Sequence, residues 1–367
     1  MSFLDKKKVV IGMSGGVDSS VAAYILQQQG YDVIGVTMKL WTHPDESQNM
    51  EDTGCCGLSA VDDARRVANQ LGIPYYVMNF KEPFRKKVVD YFIHEYLAGR
   101  TPNPCIACNR FIKFEELLKK AHALGAYYVA TGHYSKIVYD EKINKYLIKK
   151  SNAAEKDQTY VLYNFTQEQL RHTLMPLGDF HSKEEVREIA SKIGLNTALK
   201  PESQEICFIP DNDYGRFIVQ EKPEEVVPGN FIDKNGKILG RHKGIANYTI
   251  GQRKGLGIAL GKPVYVIDIL PETNEVVLGE NEDLFGTELI AEDVNLIFLD
   301  HIEEGMEVMA KIRYHSEPAF ARLYPDKKNQ IRVVFAQPQR AITPGQAVVF
   351  YLGDILVGGG TIAKRVK

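Results

Sequence analysis

Short apolar runs alternate with longer amphipathic stretches through roughly the first 200 residues of the chain. Short continuous apolar runs predict buried strands, and apolar positions spaced three and four apart predict helices. The pattern predicts strands at 8–13, 31–38, 74–80 and 127–131, and helices at 17–30, 58–71, 82–98 and 113–124. Strands separated by helices of this length indicate a doubly wound parallel sheet with right-handed crossovers.

From about residue 229 the pattern changes to short β-branched runs separated by Gly, Asn and Asp. Such runs predict strands, which are clearest at 264–270, 275–278, 333–335 and 347–352. Two small all-β modules, the second a barrel, are the expected result. We therefore predict an α/β protein with a doubly wound parallel-sheet domain over 1–205, a small central β-rich domain over 206–285 and a C-terminal β-barrel over 286–367.

The composition is that of a globular protein, since 44% of the 367 residues are hydrophobic and 25% are charged. The net charge of −2 indicates no global attraction to nucleic acid, although a local basic face remains compatible with it. Residues 1–8 contain no apolar signal core, and no segment approaches the ~20 apolar residues of a membrane span, so we expect a cytoplasmic protein without a membrane partner.

The five cysteines are odd in number and unevenly placed, which makes a disulfide framework a poor interpretation. In a reducing compartment such thiols are more often catalytic, metal-binding or buried. Cys55 and Cys56 are adjacent, a spacing that does not suit chelation of one ion by both, so we expect them to be loop or packing residues.

Residues 14–20, with the sequence Ser-Gly-Gly-Val-Asp-Ser-Ser, separate the first predicted strand from the first predicted helix. We call them the phosphate loop, because glycines let backbone N–H groups approach an anion and the helix adds its positive N-terminal end. The Gly-Lys-Ser/Thr ending of a Walker loop is missing. The alternative is a Gly/Ser turn that merely caps a helix. The string resembles the PP-loop ATP pyrophosphatases, which cleave ATP to AMP and pyrophosphate while adenylating a substrate oxygen, and Asp18 is then the candidate to hold Mg²⁺.

Two further candidates lie at the carboxyl ends of predicted strands, where doubly wound sheets bind ligands. Met38 follows the second strand and could pack on adenine, with plain core packing as the alternative. Gly132 follows the fourth strand and would let a nucleotide approach the backbone.

The cysteine motifs are the second source of candidate chemistry. Pro102 and Pro104 predict extended conformations at Thr101 and Asn103, and thus a stiff segment within 100–110 that presents Cys105 and Cys108. A Cys-x-x-Cys pair alone is compatible with a redox pair, half a zinc site or chance. Cys207 lies in a short apolar run after a polar stretch at 200–205, where an inert core thiol is the simplest interpretation.

Taken together, these motifs resemble the tRNA-specific 2-thiouridylase family over nearly the whole chain. The motifs that carry the resemblance are Gly12-Met13-Ser14-Gly15-Gly16-Val17-Asp18-Ser19-Ser20, Gly99-Arg100-Thr101-Pro102-Asn103-Pro104 with Cys108-Asn109, Ala130-Thr131-Gly132-His133, Lys156-Asp157-Gln158-Thr159-Tyr160, Ile206-Cys207-Phe208-Ile209, Tyr248-Thr249-Ile250-Gly251-Gln252-Arg253-Lys254-Gly255 and Thr343-Pro344-Gly345-Gln346. The resemblance implies a PP-loop domain, a central β domain and a C-terminal barrel. It also implies ATP-dependent replacement of the C2 oxygen of the wobble uridine by sulfur in tRNAs for Lys, Glu and Gln.

The same resemblance implies roles for individual residues. Cys108 falls on the catalytic nucleophile and Cys207 on the cysteine that carries a persulfide, with the sulfur supplied by a cysteine desulfurase directly or through relay proteins. The implied ATP-binding positions are Gly12, Met13, Ser14, Gly15, Gly16, Val17, Asp18, Ser19, Met38 and Gly132. The implied tRNA-binding positions are Asn103, Pro104 and Cys105 at the target base, and His133, Lys156, Asp157, Gln158, Arg313, Tyr314 and Gln346 elsewhere.

Three alternatives stay open at the level of sequence. Many family members carry Asp where this chain has Cys105, and the extra thiol would let Cys105, Cys108 and Cys207 hold a [4Fe–4S] cluster instead of a persulfide. Another PP-loop adenylating ligase or amidotransferase would explain the phosphate loop but not the cysteines. An ATP-sensing RNA-binding protein without turnover would leave the cysteines in the core.

Overall fold

The computed structural model divides the chain into two compact units. The residues that it describes are 4–41, 57–198, 200, 206–327 and 329–366. The first unit comprises Met1–Val88, Cys105–Asn212 and Asp354–Leu356, and the second comprises Val89–Pro104, Asp213–Gly353 and Val357–Lys367. No helix in the described ranges is long and apolar enough to cross a membrane. Cys55, Cys56 and residues 201–205 lie outside the described residues.

A five-stranded parallel sheet forms the centre of the first unit. The strands of this unit are β1 (Asp5–Gly12), β2 (Asp32–Lys39), β3 (Tyr75–Asn79), β4 (Ala126–Ala130), β5 (Ser135–Asp140), β6 (Lys145–Lys150) and β7 (Thr173–Leu174). The sheet has the order β3-β2-β1-β4-β7, and β5 and β6 form an antiparallel hairpin. Val9, Val10 and Ile11 of the central strand β1 are fully buried, as expected for a parallel sheet that is covered on both faces.

The helices are mostly short. They are α1 (Val17–Gln28), α2 (Leu58–Leu71), α3 (Lys81–Phe84), α4 (Asp90–Leu97), α5 (Pro104–Ala107), α6 (Leu117–Ala123), α7 (Gln167–Arg171), α8 (Lys183–Lys192) and α9 (Tyr214–Glu221). Two π-helical stretches, Arg85–Val89 and Cys108–Glu116, continue α3 and α5. Wide turns of this kind are rare and occur frequently at functional sites.

Thr101 and Asn103, for which extended conformations are predicted, lie outside the helices, and the segment that presents the two cysteines is helical from Pro104 onwards. Pro104 begins α5, and the helical path continues through the π-helical stretch into α6. Proline suits the first helical position because its fixed φ is already helical and its missing N–H group has no helical partner there. The two cysteines of the Cys-x-x-Cys pair therefore lie on a helix.

The second unit contains a four-stranded sheet and a barrel. The sheet has the order β10-β11-β8-β9 and consists of β8 (Gly229–Ile232), β9 (Ile238–His242), β10 (Tyr265–Leu270) and β11 (Glu275–Gly279). Its core is formed by Phe231, Tyr248, Val266, Val276 and Leu278.

Six strands in the order β12-β15-β14-β13-β16-β17 form the barrel, which is closed by pairing of β12 with β17. They are β12 (Phe285–Leu296), β13 (Met306–Lys311), β14 (Ala319–Pro325), β15 (Ile331–Arg340), β16 (Ala347–Leu352) and β17 (Ile355–Arg365). Inward residues alternate with outward ones along β14, where Ala321 and Leu323 are fully buried. Closure removes exposed strand edges.

Residues 89–104 belong to the second unit although residues on both sides of them belong to the first. The reason is aromatic packing: Tyr96 stacks on Tyr214 with ring centroids 4.8 Å apart, and Phe92 meets Phe217 at 6.5 Å. The predicted fold class, an α/β parallel-sheet domain, a small β domain and a β-barrel, is confirmed. The domain boundaries at 205/206 and 285/286 stay a prediction.

Candidate active site

The phosphate loop lies at the carboxyl end of the central strand β1 and leads into α1. Gly16 is the N-cap of α1, and no described side chain caps this helix end. The first N–H groups of a helix have no partner within the helix, and the helix dipole makes this end positive. An uncapped N-terminus of a 12-residue helix therefore suits an anionic ligand such as a phosphate.

Two close backbone approaches fix the shape of the loop. Gly15 has a φ of +69°, and a Cβ there would lie 2.4 Å from Ala60 O. A Cβ on Gly132 would lie 2.9 Å from Ser19 N, so the chain after β4 passes directly against the start of α1. Only glycine satisfies both requirements without a shift of the backbone. The two glycines thus allow the close backbone packing that gives the loop its shape.

The side chains of the loop differ in what they offer. Met13 and Val17 are buried in the core of the first unit, so only their backbone atoms are available to a ligand. Ser14 is exposed, and its N–H group donates to Ser19 Oγ over 3.3 Å. That the ten residues from Gly12 to Gly132 bind ATP stays a prediction.

Met38 lies at the carboxyl end of β2, beside the loop. A Cβ on Gly12 would lie 3.6 Å from Met38 Cε. The structure thus brings Gly12, Met38 and Gly132 to the same edge of the sheet, at the ends of three neighbouring strands.

Asp18 holds the most specific polar contacts of the loop. Lys183 Nζ lies 2.5 Å from Asp18 Oδ2, and the Tyr134 hydroxyl donates to Asp18 Oδ1 over 2.8 Å. The Asp18 side chain is 31% exposed, whereas that of Lys183 is only 5% exposed. The buried ammonium of Lys183 thus contacts the phosphate loop, whose own sequence lacks the Walker lysine.

Sequence reasoning missed Lys183. The local signal was present, since Ser182 caps α8 by accepting a hydrogen bond from Glu185 N over 3.3 Å, and Ser-x-x-Glu is a helix-start pattern. That pattern predicts the start of a helix but not the direction of a lysine side chain in its first turn.

The two cysteines of the Cys-x-x-Cys pair differ in exposure on the helix that carries them. Cys105 is exposed, whereas Cys108, the first residue of the π-helical stretch, is buried. Asn109 Nδ2 donates to Val161 O over 3.1 Å and fixes the helix next to Cys108. Arg110 lies with its guanidinium carbon 4.9 Å from the centre of the Phe111 ring. The buried thiol therefore sits in a rigidly held turn.

Cys207 is partly exposed and lies in a turn anchored by its neighbours. Phe208 is 2% exposed and packs against Phe84 and Trp41, with ring centroids 5.7 and 6.2 Å away. Across the described ranges, no group of three or more His, Cys, Asp or Glu side chains is placed to hold a metal ion, and Cys105, Cys108 and Cys207 are all within those ranges.

The predicted tRNA-binding residues of the first unit differ in accessibility. Cys105 is exposed and Lys156 is half-buried. Asp157 is engaged internally, since Asp157 Oδ1 accepts from Ser151 N over 3.1 Å and burial raises its pKa. Gln158 Oε1 accepts from Tyr134 N over 2.9 Å. Lys156 is thus the partly exposed cation of this segment, while its two neighbours are engaged in hydrogen bonds within the unit.

In the second unit, Gln346 Nε2 donates to Thr101 O over 2.9 Å, and Thr101 N donates to Pro344 O over 2.8 Å. The Thr101 hydroxyl donates to Thr249 Oγ1 over 3.2 Å. Three motifs that are far apart in the sequence therefore meet at Thr101, two residues before Asn103.

Asn103 is half-buried and Pro104 is buried. Arg313 and Tyr314 lie in a turn of the barrel unit where Arg313 Nη2 donates to Arg340 O over 2.7 Å. Lys311 Nζ lies 5.6 Å from the centre of the Tyr314 ring, so this turn combines cations with an aromatic face, as nucleic-acid surfaces do.

His133 is buried, unlike the exposed side chain that a direct RNA contact would favour. It is 7% exposed, and Thr131 Oγ1 lies 2.7 Å from His133 Nδ1. Burial, assisted by the nearby Lys113 ammonium, holds the pKa of His133 well below its ordinary value. Burial also lowers the pKa of His122 and of His242.

These histidines predict a loss of stability in mild acid. The unfolded chain takes up protons near pH 6.5, whereas the folded protein keeps these rings neutral, so the free energy of unfolding falls as the pH drops below about 6.5. Each such ring contributes up to about 1.4 kcal/mol per pH unit until its folded pKa is reached. Thermal unfolding at pH 7.5 and pH 5.5 measures the effect.

His133→Asn should reduce this pH dependence, while substitution of the exposed His301 by Asn should leave it as in the wild type. An unchanged pH dependence in His133→Asn would show that burial does not keep this ring neutral.

Three family models match the chain in sequence order. They are the tRNA methyl transferase HUP domain over residues 7–211, the tRNA methyl transferase PRC-barrel domain over residues 215–280 and the aminomethyltransferase beta-barrel domain over residues 286–362.

Curated relatives are similar over almost their entire length. The tRNA-specific 2-thiouridylase MnmA of Acetivibrio thermocellus is 60% identical over 98% of this chain and 100% of its own. The protein of the same name from Lachnoclostridium phytofermentans is 61% identical over 98% of this chain and 100% of its own. These relatives are named for uridine thiolation, whereas the first two family models are named for methyl transfer.

Among solved structures, a 4-thiouridine synthetase in complex with RNA and ATP is 21% identical, with a TM-score of 0.37. The match covers 59% of this chain and 51% of that chain.

Proposed function

Because the chain belongs to the tRNA-specific 2-thiouridylase family of sulfurtransferases, we propose that it replaces the C2 oxygen of the wobble uridine by sulfur in tRNAs for Lys, Glu and Gln. The reaction consumes ATP and takes place in the cytoplasm. The main observation in support of this proposal is that the phosphate loop, with the uncapped N-terminus of α1, belongs to the same compact unit as Cys108 and Cys207.

Adenylation of the base is the first chemical step that we infer. A uridine C2 oxygen is a poor leaving group, so sulfur cannot displace it directly. Attack of this oxygen on the α-phosphate of ATP breaks the α–β bond, releases pyrophosphate and turns the departing oxygen into part of AMP. Backbone N–H groups at the start of α1 stabilise the charge that develops on pyrophosphate. Asp18 is the residue that would hold Mg²⁺, which supplies further charge stabilisation when bound.

Sulfur arrives as a persulfide on Cys207, donated by a cysteine desulfurase or a relay protein. In one route its terminal sulfur attacks C2 and AMP departs, after which the Cys108 thiolate attacks Cys207 Sγ. This attack forms a Cys108–Cys207 disulfide and leaves the terminal sulfur on the base. In the other route Cys108 attacks the persulfide first and releases sulfide, which then attacks C2. Either route ends in a disulfide that an external thiol reduces.

The arrangement of the cysteines favours the persulfide over the [4Fe–4S] alternative. A cluster needs three protein thiolates close together, and no such group is found in the described part of the chain. Cys207, by contrast, is partly exposed in an anchored turn, where a donor protein can reach it. The ligase and ATP-sensing alternatives give neither cysteine a role.

Incubation of the protein with ATP, Mg²⁺ and unmodified tRNA for Lys tests the function directly. We expect pyrophosphate release that requires tRNA, and in the presence of a sulfur donor the mass change of one oxygen replaced by sulfur at the wobble uridine. Stable ATP under these conditions would support the ATP-sensing alternative. Pyrophosphate release driven by a small amine or acid in place of tRNA would support the ligase alternative.

A further inference from the structure

Tyr134 lies between the phosphate loop and segment 156–158, which contains the predicted tRNA-binding residues Lys156, Asp157 and Gln158. Tyr134 N donates to Gln158 Oε1 over 2.9 Å, and Gln158 N donates to Tyr134 O over 3.0 Å. The Tyr134 hydroxyl donates to Asp18 Oδ1 over 2.8 Å. One tyrosine therefore holds the segment with its backbone and the loop carboxylate with its side chain.

The same chain of hydrogen bonds extends to the helix of Cys108. Val161 N donates to Gln158 O over 3.2 Å, and Val161 O accepts from Asn109 Nδ2 over 3.1 Å. Hydrogen bonds thus connect Gln158 through Val161 to the helix that carries Cys108, and through Tyr134 to Asp18.

Tyr134 has little freedom to absorb a displacement of its neighbours. Its side chain is 2% exposed and belongs to the core of the first unit. Lys183 Nζ lies 5.7 Å from the centre of its ring. Since packed cores deform little, a shift of Gln158 moves the phenol hydroxyl with it.

We propose that Tyr134 is a positioning residue that couples tRNA contact at segment 156–158 to the orientation of Asp18, so that adenylation depends on correctly bound tRNA. The inference rests on the proposed function and adds to it a residue that acts through Asp18. Asp18 Oδ2 is paired with the buried Lys183, and the Tyr134 hydroxyl holds the other oxygen in place. Without that hydroxyl, the carboxylate is free to turn towards the ammonium and is less available to a divalent cation.

Tyr134→Phe removes only the hydroxyl and tests the coupling. The concentration of Mg²⁺ that gives half-maximal pyrophosphate release at saturating tRNA should rise about tenfold, the usual scale for one hydrogen bond to a charged group. The tRNA-stimulated rate should fall, while the dissociation constants of ATP alone and of tRNA alone should stay as in the wild type. A merely structural role for the tyrosine would not move the Mg²⁺ requirement.

Tyr248→Phe is the matched control, since Tyr248 is 4% exposed and its hydroxyl accepts a hydrogen bond from Lys243 N in the second unit. Its Mg²⁺ requirement should equal that of the wild type. An unchanged requirement in Tyr134→Phe overturns the coupling.

Gln158→Met provides a second, independent arm, because it removes the bond to Tyr134 N without altering the core. It should raise the Mg²⁺ requirement too, and the double variant should show less than the product of the two single effects, since residues in one network are not additive. If the two increases in the Mg²⁺ requirement multiply fully in the double variant, the coupling is overturned. If Tyr134→Phe fails to fold, an unchanged Mg²⁺ requirement in Gln158→Met overturns it instead. Absence of tRNA-dependent pyrophosphate release in the wild type would overturn the proposed function itself, so the two failures are distinguishable.

Discussion

Cys207→Ser should still release pyrophosphate when tRNA is added, yet carry no persulfide and form no thiouridine. The phosphate loop and Asp18 remain intact in this variant, so adenylation continues, but a hydroxyl cannot carry transferable sulfur. Pyrophosphate assay, labelled-sulfur transfer from a desulfurase and mass analysis of the tRNA measure the three properties separately. We expect the loss of product to exceed about 10³-fold, the scale for removal of a nucleophile.

Cys108→Ser should show the complementary result, with label accepted on Cys207 but no product. Label on Cys108 in the Cys207→Ser variant would contradict the assignment and exchange the two roles. We expect Cys207 to receive the sulfur and Cys108 to act after it, because a protein donor reaches the partly exposed thiol before the buried one.

Cys105→Asp separates the persulfide from the iron–sulfur alternative. The resemblance implies Asp at this position in many members of the family, so a persulfide enzyme should retain thiolation. A cluster that needs three thiolates would instead be lost. Anaerobic purification of the wild type with about four iron atoms per chain, together with an inactive Cys105→Asp variant, would contradict the persulfide.

Asp18→Asn and Lys183→Met should each reduce tRNA-dependent pyrophosphate release by about 10²-fold or more, the scale for losing one preorganised charge at a reacting centre, since Lys183 holds Asp18 in place. The two variants should differ in stability. Asp18→Asn leaves the 5% exposed Lys183 ammonium without its counter-charge, which costs about 3 kcal/mol, whereas Lys183→Met leaves a carboxylate that is 31% exposed and therefore partly hydrated. Thermal unfolding of the purified variants, run beside the pyrophosphate assay, measures both effects.

Glu307→Gln is the matched control for the loss of an ion pair. Its partner Arg322 Nη2 lies 2.9 Å away, and both side chains are more than half exposed. Such a pair contributes at most about 1 kcal/mol, and pyrophosphate release should not change. Wild-type rates in Lys183→Met would restrict the buried lysine to a structural role.

The parts of the site that are local in sequence could be predicted, and those that depend on distant packing could not. The phosphate loop follows from glycines between an apolar strand and a helix, all within about 25 residues. Lys183 reaches Asp18 across 165 positions, and nothing in the spacing of its own helix indicates that contact. Likewise, the burial of His133 and the contact of Gln346 with Thr101 arise only when distant segments pack together.

Helix geometry shows the same limit on a smaller scale. Apolar periodicity predicts a helix from 113 and does not reveal the helical turns that begin at Pro104. The wide turns of Cys108–Glu116 shift the side-chain period away from 3.6, so a search for that period finds only the regular end of the helix.

The assignment of residues 89–104 to the second unit has a consequence for synthesis on the ribosome. Phe92 and Tyr96 emerge roughly 120 residues before their partners Phe217 and Tyr214, a delay of about ten seconds at about 12 residues per second. During that interval their rings lack the cover of Phe217 and Tyr214, and apolar surface exposed in this way favours association with other chains or with chaperones. A gene fragment that stops before residue 213 would make this condition permanent, so the chain cannot be divided into an N-terminal half that folds first and a C-terminal half that is added afterwards.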